Sequence, residues 1–230
     1  LRRRGSGNAF EATLPILLGD LEDPNEARQH RALNGLKQII LLQGRQVINI
    51  LLMRLTAKPY TVSHMRIMQQ IIPSTTKFLH FFLSDTASEF LEFLYGKNDE
   101  AETPAEDREL AAAIQETLYC MVDYIQTFGV HFTLTFLDKV SCYENNGWRR
   151  ESCSMVRSFI QNSIADWSDD IQMILRLLLK RSADSDMTVI KEAWSALSAL
   201  LTKKKVEEIL PHVSFISNMI ATVISTERYK

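Results

Sequence analysis

A repeated unit, two apolar helical segments joined by a short polar turn, is the feature that most limits how this chain can fold. One copy joins the segment 10–21 to a helix predicted over 25–43, with Asp23-Pro24 between them as a candidate cap and first turn. Another copy joins 167–181 to 187–201 through a polar turn. In both copies apolar residues recur at the spacing of one face of an α-helix. Superposing the copies pairs residues of the same kind: Asp23 with Asp184, Ala32 with Ala193, and Leu36 with Leu197.

Further copies of this unit occupy most of the remaining chain. A third runs from Phe128 through the turn YENNG into a helix that starts at Trp148. Two others join 45–55 to 62–72, and 84–95 to 106–126. The turns recur every ~35–45 residues, which is the period of two-helix solenoid repeats. Because such repeats bury their apolar faces only against neighbours, we expect a single stacked array over 10–230, behind a flexible segment over 1–9.

The composition agrees with a helical array and argues against several other classes. The chain has only 8 Gly and 6 Pro in 230 residues, too few for the many turns of a β-sandwich or a dinucleotide-binding fold. A net charge of −2 and a pI near 6.3 argue against a dedicated nucleic-acid-binding protein. The 3 cysteines match no disulfide or zinc pattern. The sequence also shows no apolar run long enough to span a membrane and no leader-like segment, so we expect a reducing, cytoplasmic location.

Irregular segments mark where the pattern changes. Pro73 should end or kink the helix that begins near Val62, because proline lacks the N–H that a helix needs. The polar and acidic stretch 96–107 is interpreted as an exposed loop, with an acidic docking site as the alternative. The last predicted helix, 206–226, is apolar and has no partner helix after it, so we expect a segment of a longer array.

No arrangement of residues predicts catalysis, a metal site or a cofactor. The 5 histidines are scattered along the chain, without the convergence that zinc or acid–base chemistry needs. Cys120 and Cys153 fall on apolar helix faces and are interpreted as small core residues. Trp167 and Trp194 have apolar neighbours at helical spacing and are likewise assigned to the core.

Basic residues near helix ends are the remaining candidates for function. Arg149 and Arg150 begin a second helix, where a cation opposes the helix dipole, so each is either a partner contact or a bond to a neighbouring repeat. Arg28, Arg31 and Arg66 occupy comparable positions in earlier hairpins and could extend a basic row. The run of lysines at 203–205 follows a helix end, where cations complement the dipole without any further role.

The turn-and-helix segments LLGDLEDPNEARQHRALNGLKQII and LLKRSADSDMTVIKEAWSALSALLTKK resemble HEAT repeats. The order of three segments is similar to the C-terminal part of the general control non-derepressible translational activator family: QGRQVINILLMRLTAKPYTVSHMR, GWRRESCSMVRSFI and DDIQMILRLLLKRSADSDMTVIKEAWSALSALLTKK. The resemblance covers roughly 11–223 and fails over 84–107. It implies a right-handed α-solenoid of about five HEAT hairpins.

The same resemblance implies a non-enzymatic scaffold. Members of this family sit on ribosomes and relay amino-acid starvation to the kinase that phosphorylates initiation factor two alpha. Their C-terminal HEAT region binds the RWD domain at the kinase's N-terminus through basic residues. Carried onto this chain, the implied partner-binding residues are Arg149, Arg150 and Arg66.

Two alternatives stay open from the sequence. The first is a HEAT scaffold of another class, serving nuclear transport or a phosphatase. The second is a HEAT-like DNA glycosylase, which would use a tryptophan and an aspartate in a basic groove. Trp148, Trp167 and Asp166 supply those residue types, although the acidic balance argues against this reading.

Overall fold

The computed structural model describes residues 7–96 and 105–227, and within these ranges every regular element is helical. The prediction of an all-α protein is therefore confirmed for this part of the chain. The α-helices are α1 (Gly7–Leu21), α2 (Glu26–Gln43), α3 (Arg45–Leu55), α4 (Val62–Ile71), α5 (Leu83–Tyr95), α6 (Ala105–Asp123), α7 (Val130–Val140), α8 (Asn146–Asn162), α9 (Ile171–Arg181), α10 (Met187–Lys203), α11 (Val206–Ile209) and α12 (Val213–Glu227).

The helices fall into two compact units. The first unit contains α1 to α4 together with α6 as far as Thr117. The second unit contains α5, the remainder of α6, and α7 to α12. The prediction of one array over 10–230 stays a prediction.

The first unit is built from two hairpins. Helix α1 packs against α2, α3 packs against α4, and the two second helices, α2 and α4, also contact each other. Their shared core holds fully buried aliphatic side chains: Leu36, Ile40, Ile48, Leu51, Met65 and Met68. Burying each such side chain contributes about 1.5–3 kcal/mol relative to leaving it in water. As predicted, α4 ends just before Pro73, which lies in a 3₁₀ turn over Ile72–Ser74.

The second unit is built from the same kind of hairpin. Its most extensive contact joins the second helices α8 and α10, while the first helices form a separate layer in which α9 packs against both α7 and α12. A 3₁₀ turn precedes each of these first helices, over Thr127–Gly129, Ser168–Asp170 and Leu210–His212. The core side chains include Leu134, Leu137, Phe159, Ile174 and Leu178, all fully buried.

Several details differ from the sequence predictions. Helix α1 begins at Gly7, inside the segment expected to be flexible. The cap of α2 is Asn25 and not Asp23, so Pro24 lies outside the helix. Trp194 is exposed, which makes its assignment to the core wrong, and Cys120 is only partly buried, whereas Cys153 and Trp167 are buried as expected.

Two expectations concern the ends of segments. The acidic loop predicted over 96–107 lies mostly outside the described residues, since these resume at Ala105. In place of the single helix expected over 206–226, the structure has two helices, α11 and α12. They are separated by a 3₁₀ turn over Leu210–His212, which contains Pro211. Among the described helices, none combines the length and apolar character that crossing a bilayer requires.

Candidate partner-binding surface

Helix N-caps give four of the second helices, α2, α4, α8 and α10, a common register, whereas the residue before α6 lies outside the described part of the chain. Each is capped by a residue whose side-chain oxygen accepts backbone N–H groups of the first turn: Asn25 for α2, Thr61 for α4, Asn145 for α8 and Asp186 for α10. Such caps satisfy donors that a helix leaves unpaired at its start. Equivalent residues can therefore be compared by counting from the cap.

The fifth residue after the cap is basic in each of these four capped second helices. These residues, the basic fifth positions, are His30, Arg66, Arg150 and Lys191. Since they share a register, they share a helix face within each unit. The sequence predictions included Arg66 and Arg150 but missed His30 and Lys191, which become apparent only by counting from the caps that the structure shows. Arg28 and Arg31 fall at other positions and lie outside this set.

Arg149, one residue earlier in α8, joins two hairpins within the second unit. Its Nε and Nη2 atoms donate to Asp184 Oδ2 and Oδ1, each at 2.9 Å. Its Nη1 atom donates to the carbonyls of Tyr143, at 3.1 Å, and Glu144. The side chain is only 11% exposed and that of Asp184 only 3% exposed. Of the two roles left open for Arg149, the structure therefore displays the bond to a neighbouring repeat.

Asp184 is held as a carboxylate by this arrangement. Arg181 Nη1 donates to Asp184 Oδ2 at 2.8 Å, and the backbone N–H of Asp186 donates to Oδ1 at 3.1 Å. Burial favours the neutral acid, but the hydrogen bonds from Arg149 and Asp186 and the charges of both arginines outweigh it. The pKa of Asp184 consequently lies below its usual range.

Arg150 is half-buried against a polar network. Its guanidinium lies over the ring of Tyr95, with Cζ 5.6 Å from the centroid, and its Nη2 is 3.5 Å from the Tyr95 hydroxyl. That hydroxyl donates to the buried carboxylate of Glu151 at 2.6 Å. Burial and the neighbouring Glu151 charge both raise the pKa of Tyr95, so the phenol keeps its proton. Arg150 is therefore oriented by an aromatic face, and the residue as a whole remains partly exposed.

In the first unit, Arg66 and His30 line one groove between α2 and α4. The groove has a volume of about 620 Å³, with Leu33 and Ile67 among its apolar walls. The Arg66 side chain is 65% exposed and pairs with Glu109 at 3.0 Å, also in this unit. An exposed pair of this kind is readily exchanged for a partner's carboxylate, because water weakens it.

The other candidate residues have local roles. Lys204 lies 4.2 Å from the centroid of the buried Trp167 ring and pairs with Glu208, so it does more than complement a helix end. Trp148 stacks on Tyr143 with ring centroids 4.5 Å apart. Asp166 accepts the backbone N–H of Ser168 at 3.0 Å. Ring stacking, burial and a turn hydrogen bond account for Trp148, Trp167 and Asp166, the three residues named for a glycosylase.

No cluster of three or more potential metal-ligating side chains occurs among residues 7–96 and 105–227.

The cysteines differ in environment. Burial raises the pKa of Cys120 to about 11 and that of Cys153 to about 12. Cys142 is exposed, and although partial burial opposes it, hydrogen bonds from Lys180 and Ser141 lower the pKa of its thiol. What remains as candidate recognition chemistry is the set of basic fifth positions.

Comparison with known proteins agrees with this description. Residues 47–229 match the family model described as stalled ribosome sensor GCN1-like, HEAT repeats. The chain is 25% identical over 218 residues to the mouse stalled ribosome sensor GCN1, covering 91% of this chain and 8% of that protein. It is 25% identical over 197 residues to the human protein, covering 85% of this chain and 7% of the relative.

A designed armadillo repeat protein, solved in complex with the peptide (KR)4, also resembles the chain. The TM-score is 0.42 at 16% identity, with 91% of this chain and 88% of the other covered. The family match extends over more than half of the sequence, and it includes α8, α10 and the Arg149–Asp184 contact. The chain therefore belongs to the GCN1-like HEAT-repeat family.

Proposed function

We propose that this chain is a docking segment that binds the N-terminal RWD domain of the kinase that phosphorylates initiation factor two alpha. Through this contact it would support activation of the kinase on ribosomes in the amino-acid starvation response. Membership of the GCN1-like family supports the proposal, as does the name of its mouse and human relatives, stalled ribosome sensor. The chain spans only 8% of the mouse relative, so ribosome contact through the whole protein and a cytoplasmic location are part of the proposal.

The observation that carries the proposal is the recurrence of a basic residue at the fifth position of four second helices. A HEAT scaffold binds through the exposed parts of its helices, and these side chains recur at one position of the four capped second helices. Arginine suits such a contact because its planar fork can donate two hydrogen bonds to one carboxylate. We therefore infer that acidic groups on the RWD domain meet these positions.

The three arginines predicted from the sequence receive different roles in this proposal. Arg150 and Arg66 contact the partner directly, each with one other basic fifth position in its own unit. Arg149 acts through position, because its bonds to Asp184 and to the Tyr143 and Glu144 carbonyls hold the start of α8. Loss of Arg149 should therefore weaken binding together with folding stability.

The proposal is tested by titrating the chain with a purified RWD domain from the kinase. We expect Arg150→Glu and Lys191→Glu each to weaken binding about tenfold, or about 1.4 kcal/mol. The affinity of the unmodified chain should fall as salt is raised, since exposed charges are screened. Arg176→Glu is the matched control, because Arg176 is a half-exposed arginine on a first helix, paired with Asp138 at 2.8 Å.

Arg66→Ala separates binding from stability. Its ion pair with Glu109 is exposed on both sides, so its removal should lower the free energy of unfolding by about 0.5 kcal/mol or less. Binding of the RWD domain should still weaken measurably in calorimetric titration. Equal affinities for the charge-reversal variants and the Arg176 control would refute the site. A lack of binding by the unmodified chain would refute the function.

A further inference from the structure

A group of aromatic rings is exposed in the second unit, where the first helices α5 and α7 begin. His80 lies in a 3₁₀ turn before α5, and its ring centroid is 4.0 Å from that of Phe81 and 4.9 Å from that of Phe128. Phe132 follows Phe128 by one helical turn, in α7. Phe81 is 50% exposed, Phe128 61% and Phe132 51%. We call these four residues the aromatic cluster.

Gly129 brings the two parts of the cluster together. A Cβ atom at this position would lie 2.9 Å from the Cβ of His80, which is closer than side-chain atoms pack. Glycine therefore lets the turn before α7 approach the turn before α5. Burial lowers the pKa of His80, so at neutral pH its ring carries no charge that would repel a cation.

Carboxylates from the next hairpin flank the cluster. The backbone N–H of Asp166 donates to Thr127 Oγ1 at 3.0 Å, and His131 Nδ1 is 2.9 Å from Asp170 Oδ1. Thr127 and His131 each adjoin a phenylalanine of the cluster in the sequence, so the turn before α9 runs alongside the cluster. Within this turn Asp166 and Asp169 are exposed.

Other charges near the cluster leave this surface negative. Lys204, close to the turn before α9, lies over the Trp167 ring and pairs with Glu208, so its charge is engaged within the chain. On the other side, Asp85 is exposed in the first turn of α5, four residues after Phe81. The exposed rings thus lie between carboxylates.

This combination selects a cation. The face of an aromatic ring is electrically negative and attracts an arginine or lysine placed over it, and arginine also stacks on the ring. Carboxylates beside the rings strengthen that attraction and repel the phosphates of nucleic acids. A purely apolar partner would bury the rings without using these charges.

We propose that the aromatic cluster, with Asp85, Asp166 and Asp169, is a docking surface for a basic segment of another protein, whose arginine side chains stack on the phenylalanine rings. Its charge is opposite to that of the basic fifth positions, so it takes a different partner. The inference does not depend on RWD binding.

A labelled peptide of alternating arginine and leucine tests the chemistry by fluorescence anisotropy. The 230-residue chain should bind it, with an affinity that falls as salt is raised. Citrulline in place of arginine keeps the shape without the charge and should weaken binding about tenfold. A lack of binding by the arginine peptide, or equal binding of both peptides, would overturn the proposal.

Substitutions test the location of the surface. Phe128→Leu and Phe132→Leu keep an apolar side chain but remove the ring, so each should weaken peptide binding about fivefold. Trp194→Leu is the matched control, because Trp194 is 56% exposed on the second helix α10. Asp169→Asn should weaken binding about threefold, whereas Glu144→Gln, at the other end of α7, should not. Equal effects in the cluster and control variants would overturn the location.

Two further measurements separate this proposal from its alternatives. Circular dichroism should show every variant folded, and RWD binding should survive Phe128→Leu, so the two proposals can fail separately. Analytical ultracentrifugation of the unmodified chain without peptide should show a monomer. A dimer that Phe128→Leu dissociates would assign the surface to a second copy of the chain and overturn the proposed partner.

Discussion

The turn before α2 and the turn before α10 have the same local design but different surroundings. Asp23 and Asp184 each lie two residues before the cap and accept the cap residue's backbone N–H, at 2.8 and 3.1 Å. Asp23 pairs with Arg28 of its own helix, at 2.7 Å and at the surface. Asp184 is buried between Arg181 and Arg149, and Arg149 comes from the preceding hairpin.

This difference shows how one sequence motif serves two purposes. In the first unit, the aspartate organises only its own turn. In the second unit, the same aspartate also receives a lateral arginine, which turns a local cap into a link between repeats. Because the Asp184 carboxylate has little access to water, its partners cannot be replaced by solvent. Three predictions test this contrast, from the largest expected effect to the smallest.

Arg149→Ala should be the most damaging of these substitutions. It leaves the buried Asp184 carboxylate with the Arg181 guanidinium and the Asp186 N–H as partners and frees two carbonyl acceptors, so the free energy of unfolding should fall by roughly 3–5 kcal/mol. Urea denaturation followed by circular dichroism measures this loss. Arg28→Ala is the matched control in the first unit and should cost far less, since its pair with Asp23 is open to water. Similar losses for the two variants would contradict the contrast.

Asp184→Asn should remove a stabilisation that depends on pH. At neutral pH it should cost about 2 kcal/mol, since an amide makes weaker hydrogen bonds to arginine than a carboxylate does. The folded-state pKa of Asp184 lies below the unfolded value of about 3.9. Its stabilisation is therefore complete above that value and is lost as the pH falls through the lower folded value.

Unfolding at pH 7 and at several values between pH 4 and pH 2 measures this dependence. The difference between the unmodified chain and Asp184→Asn should shrink over the acidic range. Asp23→Asn provides the surface counterpart and should show a smaller difference at every pH. A gap for Asp184→Asn that stays constant down to pH 2 would show that its charge is not the source.

The caps should show the smallest contrast. Asn25 accepts the N–H groups of Ala27 and Arg28, and Asn25→Ala should cost about 1 kcal/mol. Asp186 accepts comparable N–H groups and also the amide of Asn146 from α8, so Asp186→Ala should cost closer to about 2 kcal/mol. Thermal unfolding of both variants decides this. In an Asn146→Ala background, the additional stability lost by Asp186→Ala relative to Asn25→Ala should disappear. If that additional loss is unchanged, it comes from the cap alone.

Most of the helices could be predicted from the sequence because their apolar residues keep a strict helical period. Helix α3 occupies its predicted range over 45–55, and α4 stops one residue before its predicted end. Errors fell where a residue's role depends on its neighbours. Asp23 was predicted as a cap because its type suits capping, but the backbone places Asn25 there. Trp194 was predicted as core because its spacing fits the apolar face of the helix, yet 56% of it stays exposed.

The candidate surface was predictable in part. Arg66 and Arg150 were found from basic residues near helix starts, whereas His30 and Lys191 needed the register that the caps define. Arg149 could not be separated from Arg150 in the sequence, because adjacent residues on a helix point about 100° apart and only packing reveals what each one meets.

The sequence by itself determined the helical class, the repeat and the family, since these follow from local periodicity and the order of segments. The tertiary structure alone decided which of two neighbouring arginines forms a buried ion pair and which stays partly exposed. Arg149 and Arg150 are neighbours with the same charge, yet Arg149 pairs with the buried Asp184 and Arg150 lies over the ring of Tyr95. The physical reason is that the value of a charge depends on its burial and its partners, and contacts between hairpins set both.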